Sequence, residues 1–225
     1  MNELIFLAQT LFVSTACLAA TRLGKEALVA LICLLGVLSN LFVIKQITLF
    51  GLHVTAADAF SVGALLGLNL LQEYFGKGIA KKTVWICFFI LLLYTGFAQI
   101  HLWFLPSLWD TAHPHFQSLF QFAPRITTAS LLVYLFVQHL DRYLYAKLQD
   151  RFGQSYLLTR NYILLMFSQL VDTVLFSFLG LWGIVESVTH VIVISYLVKL
   201  VAIFVATPFV KLSATMVTPQ KRHHR

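Results

Sequence analysis

The sequence predicts an all-α membrane protein, a polytopic helical bundle with seven transmembrane helices. Three observations carry that expectation. Of its 225 residues, 59% are hydrophobic and only 11% charged, whereas soluble domains carry roughly a quarter charged residues. A water-facing surface cannot be covered from that inventory. The apolar residues gather into seven runs, and the basic residues fall between the runs and almost all on alternate sides.

The runs cover about 4–21, 26–48, 55–75, 83–104, 125–146, 160–184 and 189–210. Crossing ~30 Å of hydrocarbon takes about 20 helical residues. The runs are continuously apolar instead of alternating, which argues against a barrel, and helices satisfy every backbone group within one segment. The first run follows Met1, Asn2 and Glu3 with no basic stretch and no clear cleavage site, so it reads as a span and not as a signal peptide. In the third run Ala59, Gly63 and Gly67 stand four apart, a ridge of small residues suited to close helix packing. Between the fourth and fifth runs, 105–124 holds Pro106, Trp109, Pro114 and Pro124, which suggests a segment lying in the membrane interface. Pro124 suits the start of the fifth helix, where its missing donor costs nothing. Residues 1–212 then form one transmembrane transport domain. Residues 213–225 form a basic cytoplasmic tail within reach of anionic lipid.

Orientation follows from the basic residues. One side holds Arg22 and Lys25, then Lys77, Lys81 and Lys82, then Arg142, Lys147, Arg151 and Arg160, and finally Lys211, Lys221, Arg222 and Arg225. The other side holds only Lys45 and Arg125, with Lys199 inside a span. Positive charge stays cytoplasmic. The N-terminus is therefore expected outside and the C-terminus inside a cell (inner) membrane. The net charge of +7 is explained the same way, and no nucleic-acid partner is expected.

Charge inside hydrocarbon is the clearest functional signal, because each such residue costs about 2.5–3.5 kcal/mol on insertion scales. Asp172 and Lys199 fall at matching depths of the sixth and seventh runs. They suit an ion pair, either purely structural or facing a cavity. Gln169, Asp172 and Thr173 share one helix face, with Ser168 one turn before Asp172. A second cluster, Asn69, Gln72 and Glu73, ends the third run before Gly76 and Gly78. There Glu73 has Lys77 one turn on as a second, interfacial explanation. Asn40 lies deep in the second run and can bond a neighbouring helix or a ligand. Arg125 opens the fifth run near Thr127, Thr128 and Ser130, as a snorkelling anchor or a ligand contact. Cys17, Cys33 and Cys87 lie in apolar runs without metal spacing and read as inert thiols. His53, His101, His113, His115, His139 and His190 fall near run ends, share no ligand spacing, and read as interfacial.

No phosphate-cradling glycine loop, metalloprotease helix motif or nucleophile elbow is present. Neither an enzyme nor a cofactor is expected.

The stretches SNLFV (39–43), NLLQEYFGKGIAKK (69–82), PRITTAS (124–130), HLDRYLYAKL (139–148), SQLVDT (168–173) and the Lys199 helix with Pro208 resemble, in this order, the queuosine precursor transporter family of the vitamin uptake transporter group. The resemblance covers about 36–212 and leaves out the first run, so it implies a six-helix core with an added N-terminal helix. Position 69 departs from the family, which more usually carries aspartate there; asparagine keeps hydrogen bonding and gives up proton exchange. The resemblance implies import of a 7-deazaguanine, either a pre-queuosine base or queuine. Aromatic rings would stack on it, and Asp172 or Glu73 would accept from its guanine-like edge. Asn40, Asn69 and Gln169 would complete that edge. Expected partners are this small molecule, the lipid bilayer and, as an option, a second copy in a homodimer.

Two other readings compete. A retinal-binding protein also has seven helices and a lysine in the last, but one turn before Lys199 stands Ser195 where an aspartate is usual. A substrate-capturing subunit of an ATP-driven vitamin importer would need separate energising subunits, which could dock on the small-residue ridge of the third run.

Overall fold

The computed structural model describes residues 1–152 and 157–201. Helices α1 (Asn2–Leu23), α2 (Lys25–Phe42), α3 (Asp58–Phe75), α4 (Lys77–Leu102), α5 (His113–Phe120), α6 (Ala123–Phe152) and α7 (Leu157–Phe176) follow in order. α7 runs on through a π-helical turn, Ser177–Leu181, and α8 occupies Val188–Val201. All but the short α5 correspond to the seven runs. The tail 213–225 and Pro208 lie outside the described residues.

Among the described residues, five helical stretches are long and apolar enough to cross a bilayer: Asn2–Leu23, Lys25–Phe42, Lys77–Leu102, His113–Asp141 and Ile163–Leu181. α3 falls short in apolarity because Asp58, Asn69, Gln72 and Glu73 all sit on its 18 residues. Of these, Asp58 is buried and the other three are exposed.

One expectation needs correction. The second run was expected to stay helical to position 48, yet α2 ends at Phe42 and a hairpin follows, β1 (Gln46–Leu49) pairing antiparallel with β2 (Leu52–Thr55). Phe50 and Gly51 join the strands with φ of 51° and 79°. Positive φ at both turn residues matches the twist of a two-residue hairpin. β-branched Ile47, Thr48, Val54 and Thr55 favour the pleated form. Leu49 and Val54 then pack with Ile194 of α8, and Phe6 of α1 leans on them.

The hairpin, the start of α1 and the 182–187 turn share one end of the bundle. Asn2 Nδ2 donates to the Thr48 carbonyl at 3.0 Å, and the Phe50 N–H donates to Glu3 at 3.2 Å. His53 Nδ1 lies 3.3 Å from Glu186 Oε2, and its ring stacks on His190. These two histidines, far apart in sequence, are therefore neighbours. The junctions between α1 and α2 and between α3 and α4, which carry Arg22, Lys25 and Lys77, lie at the opposite, basic end.

α1 to α4 pack around Cys17, Leu28, Ile32, Leu70 and Leu71. The small-residue ridge of α3 makes this possible. A Cβ on Gly63 would stand 2.0 Å from Val13 Cγ1, and one on Gly67 would stand 2.8 Å from Ile32 Cγ1. The ridge is covered by α1 and α2, so it offers no docking surface to an energising subunit. Cys17 and Cys33 are buried; Cys33 and Cys87 approach at 3.3 Å between sulfurs and remain free thiols. The 105–120 region turns no side chain inward in its short helix, and Leu105, Leu108 and Trp109 are almost fully exposed, as an interfacial segment requires.

Candidate functional site

Burying an ionisable group without a partner costs several kcal/mol, so buried charge locates the part of this bundle built for something other than packing. Lys199 of α8 reaches α7, where its Nζ donates to Asp172 Oδ2 at 2.7 Å and to Thr173 Oγ1 at 3.0 Å. The side chains are 16% and 31% exposed for Lys199 and Asp172, so the pair is partly buried between α7 and α8. The sequence suggested this pairing from depth alone. One turn along α7, the Ser168 hydroxyl donates to Asp141 of α6, a contact the sequence did not suggest.

Beside Lys199 lies a cavity of about 50 Å³ between α2, α3, α7 and α8. Its polar lining is Ser39, Thr55, Asp58, Ser61, Thr173, Ser177, Ser195 and Lys199; Val43, Phe176, Leu181 and Val191 close the rest. Asp58 is the residue that sequence reasoning missed. It is 6% exposed, and its Oδ2 accepts a 2.9 Å hydrogen bond from Ser195. Across the cavity the hydroxyls of Ser39 and Ser61 meet at 2.7 Å. An aspartate in the first turn of a helix is ordinarily a dipole partner on the surface, which is why its position gave no warning. A signal existed: it is the acidic residue opening a run that is otherwise apolar for three turns.

The other expected residues distribute as follows. Asn69, Gln72 and Glu73 are exposed at the basic end of α3. At 3.6 residues per turn, positions 58, 61, 65, 69 and 72 share one face, so the exposed cluster continues the line of Asp58 and Ser61. Gln169 is half-buried one turn below Asp172. Asn40 does not line the cavity. It donates to the Gly36 carbonyl at 3.0 Å and accepts from Ser130 of α6 at 3.2 Å, which ties α2 to α6. Arg125 stands apart at the hairpin end, where its exposed guanidinium donates to the Leu179 carbonyl at 2.9 Å. Asp172, Lys199 and, nearby, Gln169 are thus brought together; Arg125 is not.

A larger groove of about 700 Å³ lies between α4 and the 104–120 segment. It is walled by Tyr94, Phe97, Phe104, Phe116 and Phe120, and its Asp110 is occupied in accepting from the N–H groups of Ala112 and His113. Aromatic and open, it suits the membrane interface more than selection of a polar guest. Among the described residues no cluster of three metal-ligating side chains occurs.

Comparison with known proteins gives the chain a family. The family model described as "Putative vitamin uptake transporter" matches residues 59–213. The "Probable queuosine precursor transporter" of Bacillus subtilis (strain 168) is 31% identical over 202 residues, which cover 88% of each chain. No solved structure matches. The matched span takes in α3 through α8, hence most of the cavity, and leaves out α1. A multi-pass membrane protein with its polar groups gathered between helices, this chain is a transporter and not an enzyme, and it belongs to the vitamin uptake transporter family.

Proposed function

We propose that the chain imports a queuosine precursor, a 7-deazaguanine base such as a pre-queuosine base or queuine. The name of the Bacillus relative supports the substrate class. The observation that carries the reading in this molecule is the Lys199–Asp172–Thr173 cluster beside a polar cavity in an otherwise apolar bundle. A planar base with an exocyclic amine and ring N–H needs a carboxylate to accept from both, and Asp172 is within one turn of Gln169 to complete such an edge.

Ligand pockets ordinarily measure about 300–1,000 Å³, so a cavity of about 50 Å³ is a closed form. The base enters only when α3 moves away from α7 and α8. The line of Asp58, Ser61, Asn69 and Gln72 then supplies polar contacts along the route to the basic end, and Glu73 stands at its mouth. Ser130 and Asn40 brace α2 on α6, and Arg125 ties α6 to the turn after α7. In this reading the hairpin end and N-terminus face outward, the basic end and C-terminus face the cytoplasm, and the membrane is the inner membrane of a cell. The burial of the small-residue ridge supports a self-sufficient carrier over a capture subunit that docks energising partners there.

Uptake of labelled deazaguanine by cells carrying the chain and no other importer tests the reading. Asp172→Asn, present in the membrane at the normal level, is expected to abolish uptake. Uptake by that variant at the unmodified rate would remove Asp172 from the site.

A further inference from the structure

Counting charge around the cavity leads further than the family does. The cavity lining holds one carboxylate, Asp58, and one ammonium, Lys199, which Asp172 ion-pairs from outside the lining. That ammonium is committed: it lies 2.7 Å from Asp172 and 3.0 Å from Thr173. Asp58 is 6% exposed, lines the cavity, and accepts one hydrogen bond, from Ser195, on Oδ2. Among the described residues nothing donates to Oδ1. The polar groups that line the cavity with it are hydroxyls or the already paired lysine: Ser39 on α2, Thr55 on β2, Ser61 on its own helix, Thr173 and Ser177 on α7, and Ser195 and Lys199 on α8. The Ser39–Ser61 bond uses one of their two O–H groups, and the Ser195 hydroxyl is spent on Oδ2.

We infer that Asp58 is the specificity-determining residue for a cationic guest, and that its free carboxylate oxygen receives an ammonium on the transported molecule. A surplus negative charge enclosed between helices is relieved by either a proton or a positive partner. A guest that brings its own ammonium neutralises the site when it arrives. This rests on the deazaguanine reading and narrows it: the favoured substrate carries a protonated amine on the side chain at ring position 7, while Asp172 is left for the guanine-like edge.

The test compares uptake of 7-aminomethyl-7-deazaguanine with that of its neutral 7-methyl analogue. The unmodified chain is expected to favour the aminomethyl base about tenfold or more, a fold-change of roughly 1.4 kcal/mol and within reach of one hydrogen bond to a charged group. In Asp58→Asn, which keeps shape and can still accept from Ser195, the ratio is expected to fall to about one. An unchanged ratio in Asp58→Asn, or no preference in the unmodified chain while both bases enter, overturns this inference and leaves the deazaguanine reading intact. Uptake of neither base by the unmodified chain overturns both. If Asp58→Asn takes up neither base, Asp58→Glu decides: a retained cation preference supports the inference, and a ratio of one overturns it.

Discussion

At the hairpin end of α3, Asp58 is almost fully enclosed and answered by Ser195 across the helix interface. About three turns on, along the same face, Asn69 and Gln72 lie exposed toward the basic end. One helix therefore presents two polar surfaces of similar chemistry in opposite surroundings. The buried one has to be satisfied by protein or guest. The open one can be hydrated and has little influence on folding. A single stripe can so combine a selective terminus with a permissive approach, provided the two respond differently to mutation.

Five single substitutions, one of them a control, sharpen or break that contrast. The largest effect is expected at the enclosed end from Lys199→Ala, which leaves Asp172 inside without its cation. Breaking a buried pair from one side costs about 3–5 kcal/mol, lessened here by the partial exposure of Asp172. Thermal unfolding in detergent should show it, and adding Asp172→Asn should restore most of the loss. Absence of such coupling would mean the pair is not the shared unit described here. Next is Gly63→Ala, which drives a methyl into Val13 and should cost about 1–3 kcal/mol by overpacking. Gly36→Ala, with nothing within 4 Å of the new methyl, is its matched control and should leave the melting temperature of that helix pair unharmed. His53→Ala removes a half-exposed contact to Glu186 and should cost below about 1 kcal/mol. Asn69→Ala should move stability by no more than about 0.5 kcal/mol while slowing uptake in transport assays. A large loss of stability there would show that the open stripe is in fact packed.

Much of this was legible without coordinates. Asp172 and Lys199 announced themselves because charge has no ordinary reason to interrupt apolar runs at matching depth. The small-residue ridge was readable from its spacing, since only close approach rewards glycine in a helix. Asp58 was not, because an acid in the first turn of a helix looks like a surface residue until a neighbouring helix covers it. The hairpin was hidden for another reason. Four-residue strands are too short for a period of two to stand out from a period of 3.6, and Ile44 to Thr48 reads as the continuation of an apolar run. Arg125 illustrates the opposite failure. Hydroxyls on its own helix suggested a ligand role, yet the guanidinium turns to a backbone carbonyl after α7.

The hairpin has a consequence for α1, which, like α2 and the hairpin itself, precedes the family's matched span. Two strands cannot satisfy both of their outer edges, and bare edge groups are not tolerated against hydrocarbon. Here the side chain of Asn2 takes up the Thr48 carbonyl and Glu3 takes up the Phe50 amide, both from the first turn of α1. The first turn of α1 thereby caps edge groups of a hairpin that also packs on α8. A chain without α1 would keep Lys199 paired with Asp172 and leave those edge groups bare.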